Sequence, residues 1–234
     1  MILSIVVPCY NEAKNIPLIL DRFNAVIKRD DVEVILVNNG SQDATQEVLD
    51  ALLPRYPFAR TVNVPVNKGY GYGIREGLQA AKGTFVGWTH ADMQTDPGDV
   101  IKALEIAERK GAPKDIYLKG TRKGRSILDV FFTIGMSMFE SLYLGAALWD
   151  INAQPNIFHR SFMEGWRNPP DDFSLDLYAL YAARKRHLKI IRFAVLFPKR
   201  VHGTSHWNTG LGAKWKFIKR TMAFSIKLKR GLVV

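Results

Sequence analysis

The sequence predicts an α/β fold with a mixed, mainly parallel sheet flanked by helices. Over the first 120 residues, short apolar runs rich in β-branched residues alternate with stretches of helical periodicity. Strands and helices that alternate in this way form βαβ units, whose sheet is covered on both faces. The 234 residues are 47% hydrophobic and 24% charged, which is typical of a globular chain and excludes a disordered or fibrous one. A single cysteine, Cys9, excludes a fold built on internal disulfides.

Five apolar runs in the first half have the length and the Pro, Asn or Gly boundaries of strands. They are residues 3–7, 32–37, 60–64, 85–88 and 116–118. The segments between them have helical periodicity, and they are residues 15–28, 43–53, 70–81 and 97–110. Asp43 stands where a helix cap is expected. The first residues lack the basic region and cleavage site of a signal peptide, so we expect a cytoplasmic location.

The second half departs from this alternation. Residues 127–149 are mostly apolar over 23 positions, near the length of a membrane span. At 100° per residue, one side of such a helix is polar and carries Ser126, Asp129, Thr133, Ser137 and Glu140. Two acids on one stripe favour a helix at an interface or in a groove over a spanning one. Residues 190–197 and the region near Phe158 are predicted strands, and residues 173–186 a helix.

Basic charge is concentrated in the last quarter of the chain. The net charge is +11, and 14 lysines and arginines follow from Arg184 onward, whereas no Asp or Glu follows Asp176. Residues 211–234 have the pattern of a basic helix with two apolar faces, one with Leu211, Trp215, Ile218, Met222 and Ile226, the other with Phe217, Phe224 and Leu228. We predict a domain over residues 1–210 and a separate helix over 211–234 that contacts an anionic membrane surface. A C-terminal helix buried on one side is the alternative.

Polar motifs follow the ends of the predicted strands. They are Pro8-Cys9-Tyr10-Asn11-Glu12, Asn38-Asn39-Gly40-Ser41, residues 67–77, His90-Ala91-Asp92-Met93-Gln94 and residues 200–206. Taken singly, each is an ordinary loop signal. The glycines of residues 67–77 do not follow the first strand, which excludes a dinucleotide-binding fingerprint. Together the motifs converge on one rim of the sheet, where a ligand site is expected.

The ordered set of motifs, over about residues 2–206, resembles family 2 glycosyltransferases, which have the Rossmann-like GT-A fold. The most similar subgroup is the dolichol-phosphate and polyprenyl-phosphate sugar transferases. The matching residues are Asp92, Gln94, Asp96 and Pro97 of a DADxQ-type motif, the segment Gly120-Thr121-Arg122, and Arg200, Gly203 and Ser205 of a late motif. The resemblance implies an inverting transfer from a nucleotide-sugar donor with Mg²⁺ or Mn²⁺. No Gln-x-x-Arg-Trp motif of processive synthases is present, which favours transfer of a single sugar.

The resemblance also implies roles for individual residues. The implied donor-binding residues are Pro8, Tyr10, Glu12, Asn39, Lys68, Arg75, Ala91, Asp92 and Arg200. The implied metal ligands are Asp92, Gln94 and His90, with Asp92 also counted as catalytic. Here His90 replaces the first acid of the family motif, and its imidazole nitrogen is a possible metal ligand. Asn38-Asn39 replaces the usual Asp pair, so the base read by this loop is expected to differ, because Asn donates hydrogen bonds as well as accepting them. His206 replaces a late Lys.

Two classes of acceptor stay open. A polyprenyl phosphate is already anionic and needs no base, and Arg122 and Arg125 are the candidate forks for it, with a solvated basic loop as the alternative. A saccharide or other hydroxyl needs a base, for which the candidates are Asp150, Asp172 and Asp176, although Asp171 or Asp172 also suits a helix cap. A donor-binding homologue without activity is a third possibility. We expect a protein that associates with the cytoplasmic face of a membrane. A membrane partner subunit stays open as a further partner. Nucleic acid is not expected as a partner, because no nucleic-acid-binding motif is recognised.

Overall fold

A seven-stranded sheet forms the centre of the protein. The structure is a computed structural model that describes residues 1–198 and 211–231, without the side chains of 211 and 213–217. The strands are β1 (Leu3–Cys9), β2 (Val32–Asn39), β3 (Ala59–Val64), β4 (Phe85–Trp88), β5 (Ile116–Lys123), β6 (Asn156–His159) and β7 (Lys189–Leu196). Their order across the sheet is β3-β2-β1-β4-β6-β5-β7. Strand β6 runs antiparallel to β4 and β5, and the other neighbouring pairs are parallel.

Helices connect the strands and cover the sheet. They are α1 (Ile16–Val26), α2 (Thr45–Leu52), α3 (Tyr70–Ala80), α4 (Gly98–Arg109), α5 (Ile127–Leu144), α6 (Ser161–Glu164), α7 (Leu175–Lys185) and α8 (Leu211–Lys229), with a 3₁₀ turn at Leu53–Arg55. Apolar side chains of β1 alternate between two cores. Val6 packs with residues of α3 and α7, whereas Ile5 and Val7 pack with residues of α1 and α4. Burial on both faces explains why the central strands are continuous apolar runs in the sequence.

The predicted fold class and the predicted strands and helices of the first half are confirmed, with small shifts at their ends. Strand β5 is the exception, because it extends through Lys123 instead of ending at 118. Its polar second half pairs with β7, up to a register of Lys123 with Leu196. Gly120-Thr121-Arg122 therefore lies in a strand, and the interpretation of this segment as a solvated loop is wrong up to Lys123.

Helix α5 places two residues of its polar stripe, Ser137 and Glu140, toward the protein and most of its apolar residues toward solvent. Ser137 and Glu140 are buried, and the Glu140 carboxylate accepts a hydrogen bond of 2.7 Å from Ser225 of α8. The exposed apolar side chains of α5 include Ile127, Leu128, Phe131, Phe132, Met138, Phe139 and Leu142. Among the described residues, α5 is the one helix whose length and composition would suffice to cross a membrane. The helix ends earlier than the predicted 149, at the left-handed Gly145 with φ of +62°.

Helix α8 packs on α5 by one of its two predicted apolar faces. Phe224 and Leu228 are buried, and Ser225 between them is fully enclosed. On the other face Ile218, Met222 and Ile226 are each 36–42% exposed. The division of the chain at residue 210 stays a prediction, but this packing makes α8 part of the same core as α7.

Candidate active site

The polar motifs that are described lie at one edge of the sheet. Parallel strands β1, β2, β4, β5 and β7 all end there, and the antiparallel β6 begins there, because Asn156 pairs in register with Trp88 and Lys119. Ligands of open α/β sheets bind at this edge. Residues 199–210, with the predicted donor residue Arg200 and the late motif, lie outside the described residues.

The first two loops are joined by hydrogen bonds. The backbone N–H of Asn11 donates to Ser41 Oγ at 3.0 Å, and Gln42 N–H donates to Asn11 Oδ1 at 2.8 Å. The backbone N–H of Glu12 donates to Thr45 Oγ1 at 3.0 Å. These hydrogen bonds hold the segment that contains the implied donor residues Pro8, Tyr10 and Glu12. Of these three residues, Tyr10 is the exposed one.

Asn39 connects the end of β2 to the start of α3. Its amide nitrogen donates to the Gly69 carbonyl at 2.9 Å, and its buried Oδ1 has no hydrogen-bond partner. A carboxylate cannot donate this bond, which is a physical reason for Asn where the family usually has Asp. Gly73 of α3 lies directly on this side chain, since a Cβ there would come within 2.8 Å of Asn39 Cγ. The glycine run thus serves close packing.

Two implied donor residues, Lys68 and Arg75, already have partners within the protein. The Lys68 ammonium lies 4.9 Å from the centre of the Tyr72 ring. Arg75 donates to the Asp171 carboxylate and, at 3.3 Å, to the Pro169 carbonyl. Arg75 therefore holds the segment that precedes α7 against α3, and a role in donor binding stays a prediction for both residues.

The segment after β4 forms a tight turn around Asp92. Asp92 and Ala91 are each 4% exposed, and Asp92 Oδ1 accepts the N–H of Gln94 at 3.1 Å. Gln94 Nε2 donates to the Pro198 carbonyl at 3.0 Å, and the His90 ring lies 6.4 Å from the Phe197 ring. The turn is thereby joined to the end of β7.

The donor set around Asp92 fits a divalent cation only with help from a ligand. Within residues 1–198 and 211–231, no three His, Cys, Asp or Glu side chains are grouped to hold a metal. Mg²⁺ is commonly bound by one or two carboxylates together with substrate phosphates. The buried Asp92 carboxylate is compatible with that arrangement.

Asp176 lies in a buried hydrogen-bond network beneath this edge. Its Oδ1 accepts from Trp88 Nε1 at 3.1 Å, Gln154 Nε2 at 2.8 Å and Asn156 Nδ2 at 3.1 Å. The Lys119 ammonium donates to Asn156 Oδ1 at 2.6 Å. Asp176 is 2% exposed, and one of its oxygens accepts three N–H donors. These contacts do not support the prediction that Asp176 acts as a base toward an alcohol.

Burial shifts the two ionisable groups of this network in opposite directions. It raises the pKa of Asp176, against the opposing effect of Lys119 and His90. It lowers the pKa of Lys119 to about 7, against the opposing charge of Asp176. The sequence pattern does not predict a role for Lys119, Gln154 or Asn156, because Lys119 lies far along the chain from the other two and the group gives no local signal.

Arg122, Arg125 and Asp150 form a second polar cluster, where β5 meets α5. Asp150 Oδ2 accepts the backbone N–H of Arg122 at 2.8 Å, and its Oδ1 accepts Arg122 Nε at 2.9 Å and Nη2 at 2.6 Å. Arg125 Nη2 lies 3.8 Å from the same Oδ1, and Arg125 Nη1 donates to Thr133 of α5 at 2.7 Å. Burial would raise the pKa of Asp150, but the charge and hydrogen bonds of Arg122 hold it below its usual value. Asp150 is therefore a counter-ion, and its surroundings do not support the prediction of a base.

Asp172, the remaining candidate base, lies in the segment that precedes α7. Its Oδ1 accepts the N–H of Ser174 at 2.8 Å, and its Oδ2 lies 3.2 Å from Arg220 Nε of α8. Helix α7 begins at Leu175, with Ser174 as its cap residue and no side-chain cap bond, so the prediction that Asp171 or Asp172 caps this helix is wrong. The ring of the next residue, Phe173, stacks on the Tyr70 ring with centroids 4.5 Å apart.

This fold, with polar loops at the carboxyl edge of a mainly parallel sheet, is that of the GT-A glycosyltransferases. The glucosyl-3-phosphoglycerate synthase of Mycobacterium tuberculosis, solved with Mn²⁺, uridine-diphosphate-glucose and phosphoglyceric acid, superposes with a TM-score of 0.74 at 19% identity. The match covers 98% of this chain and 80% of that one. At this identity the likeness shows the fold alone.

Sequence similarity then identifies the family. Residues 4–128 match the family model described as glycosyl transferase family 2, and the chain belongs to that family of glycosyltransferases. It is 33% identical to a dolichyl-phosphate beta-glucosyltransferase of Trichomonas vaginalis, over 92% of this chain and 68% of the relative. It is 37% identical to an undecaprenyl-phosphate 4-deoxy-4-formamido-L-arabinose transferase of Pseudomonas fluorescens, over 45% of this chain and 32% of that relative. This chain thus spans about two thirds of the first relative and matches about one third of the second.

Proposed function

We propose that this protein transfers a single sugar, with inversion, from a nucleotide-sugar to a polyprenyl phosphate at the cytoplasmic surface of a membrane. The carrying observation is that a buried arginine pair adjoins a helix whose outer face is apolar. Arg125 contacts Thr133 of α5 directly, and Phe131 and Leu142 of that helix are 71% and 81% exposed. A guanidinium pair suits a phosphate head group, and an apolar helix face suits an isoprenoid tail.

The donor side of this proposal rests on the loops after β1, β2 and β4. Asn39, Asp92 and Gln94 lie at the edge where donors are expected, and family resemblance assigns them the nucleotide and the metal. The synthase of the same fold was solved with Mn²⁺ and uridine-diphosphate-glucose, which supports a divalent cation here. Bound to Asp92 and Gln94, such a cation would neutralise the charge that develops on the diphosphate leaving group.

The acceptor side rests on the state of the candidate bases. An alcohol acceptor needs a carboxylate that is able to take its proton, whereas a phosphate oxygen attacks as an anion. Asp150 is held by two arginines, and Asp176 accepts three N–H donors out of solvent. These surroundings favour an acceptor that brings its own negative charge. The relatives named for dolichyl and undecaprenyl phosphate support the same acceptor class.

Membrane association rests on the outward faces of α5 and α8. Helix α5 has exposed apolar side chains and no exposed acid near its centre. Such a helix face is expected at a bilayer surface. The exposed basic residues of α8 are suited to anionic head groups, and they include Lys219, Lys227 and Lys229, with Arg230 directly after the helix. A membrane partner subunit stays a prediction.

The test is a transfer assay with labelled uridine-diphosphate-glucose and undecaprenyl phosphate in detergent, with Mn²⁺. We expect labelled product in the organic phase, its loss with a chelator, and no product from undecaprenol, which lacks the phosphate. A water-soluble product made only with a saccharide acceptor would instead establish the hydroxyl-acceptor alternative. A panel of other nucleotide-sugars identifies the donor if uridine-diphosphate-glucose is inactive.

A further inference from the structure

Asp150 is fixed in space by contacts from both of its ends. It is 1% exposed, and its backbone has φ of +41°, a left-handed conformation that is uncommon outside glycine. Its backbone N–H donates to Ser137 Oγ of α5 at 3.2 Å. Its carboxylate binds both the main chain and the side chain of Arg122. Asp150 thus links α5 to the end of strand β5, where Arg122 lies.

The Arg122 guanidinium also packs against an aromatic ring. Its central carbon lies 5.2 Å from the centre of the Phe197 ring, and the same ring lies 6.4 Å from the ring of His90. Arg122 is therefore held between Asp150 and Phe197, next to the segment that carries Asp92. The orientation of this guanidinium is set by its neighbours, because it is only 12% exposed.

The cluster carries more positive than negative charge. The carboxylate of Asp150 faces the guanidinium groups of Arg122 and Arg125, and Asp129 of α5 adds a second negative charge near Arg125. The half-buried Arg192 of β7 adds a third cation near Asp150. Arg125 is 9% exposed, and its Nε is a buried donor without a hydrogen-bond partner. Burial, and then the charge of Arg122, lowers the pKa of Arg125. An additional anion would satisfy both the excess charge and the orphaned donor.

We propose that Asp150 is a positioning residue, which holds Arg122 and Arg125 in the geometry that binds the phosphate of the acceptor. The inference rests on the proposed function, and it assigns Asp150 a role opposite to that of a base. The carboxylate occupies one edge of Arg122, and the cluster of three arginines with Asp150 and Asp129 keeps one net positive charge. A phosphate monoester is the ligand class that such a pair recognises in two-point geometry.

The sign of the effect of Asp150→Asn separates this role from simple electrostatics. Removal of a negative charge beside two arginines would, by Coulomb attraction alone, tighten the binding of a phosphate. If Asp150 positions Arg122, the substitution instead weakens binding, because the amide nitrogen cannot accept one of the Arg122 N–H groups. The two explanations therefore predict opposite changes in the dissociation constant.

The probe is geranyl phosphate, a short soluble prenyl phosphate, and its binding is measured by calorimetry against geraniol. We expect wild-type protein to bind the phosphate and not the alcohol, and Asp150→Asn to weaken phosphate binding about ten- to hundredfold. In the transfer assay, the acceptor KM should rise by a similar factor, whereas nucleotide binding measured by thermal shift stays unchanged. Asp115→Asn, the same change at an exposed residue of the opposite edge, is the matched control and should leave the binding of geranyl phosphate unchanged.

A second variant covers the case in which Asp150→Asn does not fold. Ser137→Ala removes the hydroxyl that holds the Asp150 backbone and keeps every charge, and we expect the same weakening to a smaller degree. Tighter or unchanged phosphate binding in a folded variant overturns the positioning role alone. Equal binding of geranyl phosphate and geraniol by wild-type protein overturns the proposed acceptor, and the positioning role with it.

Discussion

At the scale of single residues, the site contains three buried carboxylates that are each bound to groups of the protein. Asp92, Asp150 and Asp176 are all carboxylates at one edge, yet their neighbours differ. Asp92 accepts a backbone N–H, Asp150 binds guanidinium groups, and Asp176 accepts three neutral N–H donors. Environment assigns these three acids different roles, which residue type alone does not distinguish.

Asp92→Ala should abolish the donor binding that depends on a divalent cation, and turnover with it. Asp92 is the buried carboxylate of the segment that we assign to the metal, and removal of one hard oxygen ligand leaves few protein donors. The measurement is the thermal shift produced by uridine diphosphate with and without Mn²⁺. Asp115→Ala serves as the control. Turnover of Asp92→Ala at the wild-type rate would contradict the metal assignment.

Lys119 should make the stability of the fold depend on pH. Its pKa is about 7 in the folded protein against 10.5 for an ordinary lysine, so the unfolded state binds more protons between these values. The free energy of unfolding contributed by Lys119 therefore rises with pH from about 7 toward 10.5, by at most roughly 1.4 kcal/mol per pH unit. Below the folded pKa this contribution is flat.

Urea unfolding of wild-type protein and Lys119→Met, at several pH values from 6.5 to 9.5, measures the effect. The variant should lose the rise, because methionine fills the space without an ionisable group. The exposed Lys114→Met should keep it. Parallel stability curves for wild type and Lys119→Met would show that the ammonium is not destabilised by its burial.

At the scale of elements, α5 is the feature whose exposure requires an explanation. A helix of a soluble protein usually turns its apolar face inward, and α5 does the reverse because Ser137 and Glu140 hydrogen-bond inside. Burial raises the pKa of Glu140, and its bond from Ser225 offsets part of that cost. The polar stripe is thus the anchor of α5, and the apolar face is left for another partner.

The double substitution Phe131→Gln with Leu142→Gln should reduce binding to anionic liposomes. Both side chains are more than two thirds exposed, so each substitution should change the free energy of unfolding by no more than about 0.5 kcal/mol. The melting temperature should therefore change little. Vesicle sedimentation measures the first effect and thermal unfolding the second. The matched control is Leu18→Gln, an exposed leucine of α1. Undiminished liposome binding by the double variant would exclude α5 as a membrane contact.

At the scale of the whole molecule, α8 connects α5, whose apolar face is exposed, to the active-site edge. It packs on α5 through Ser225 and Glu140, and Arg220 reaches Asp172 beside the Phe173 ring. Phe173 in turn stacks on Tyr70 at the start of α3. These contacts favour an integral helix over a detachable tail.

Removal of residues 211–234 should therefore lower the melting temperature as well as liposome binding. Truncation would uncover Glu140 and the core around Tyr178, on which Phe224 packs. The matched full-length variant carries Ile218→Gln, Met222→Gln and Ile226→Gln on the exposed face, and it should lose liposome binding while it keeps its melting temperature. A truncated protein as stable as wild type would support the separate unit predicted from the sequence.

The strands, most helix bounds and the edge at which the motifs meet follow from the pattern of residues along the chain. These features depend on local periodicity and on the rule that parallel strands end together, so residues close in the chain suffice. The sequence pattern also predicted the polar stripe of α5 correctly as a set of residues. It missed the extension of β5, because Lys119 to Lys123 are polar and become a strand only through pairing with β7.

The direction in which α5 faces and the contacts of the carboxylates follow only from the packing of distant segments. A helical pattern shows two faces but does not tell which one is buried, since that depends on partners such as Ser225 and Asp150, far away in the chain. Likewise, Asp150 and Asp176 look alike in sequence, and their different roles come from Arg122 in one case and from Trp88, Gln154 and Asn156 in the other. Ionisation and hydrogen bonding in a buried site depend on these non-local neighbours, which is why the sequence pattern did not contain them.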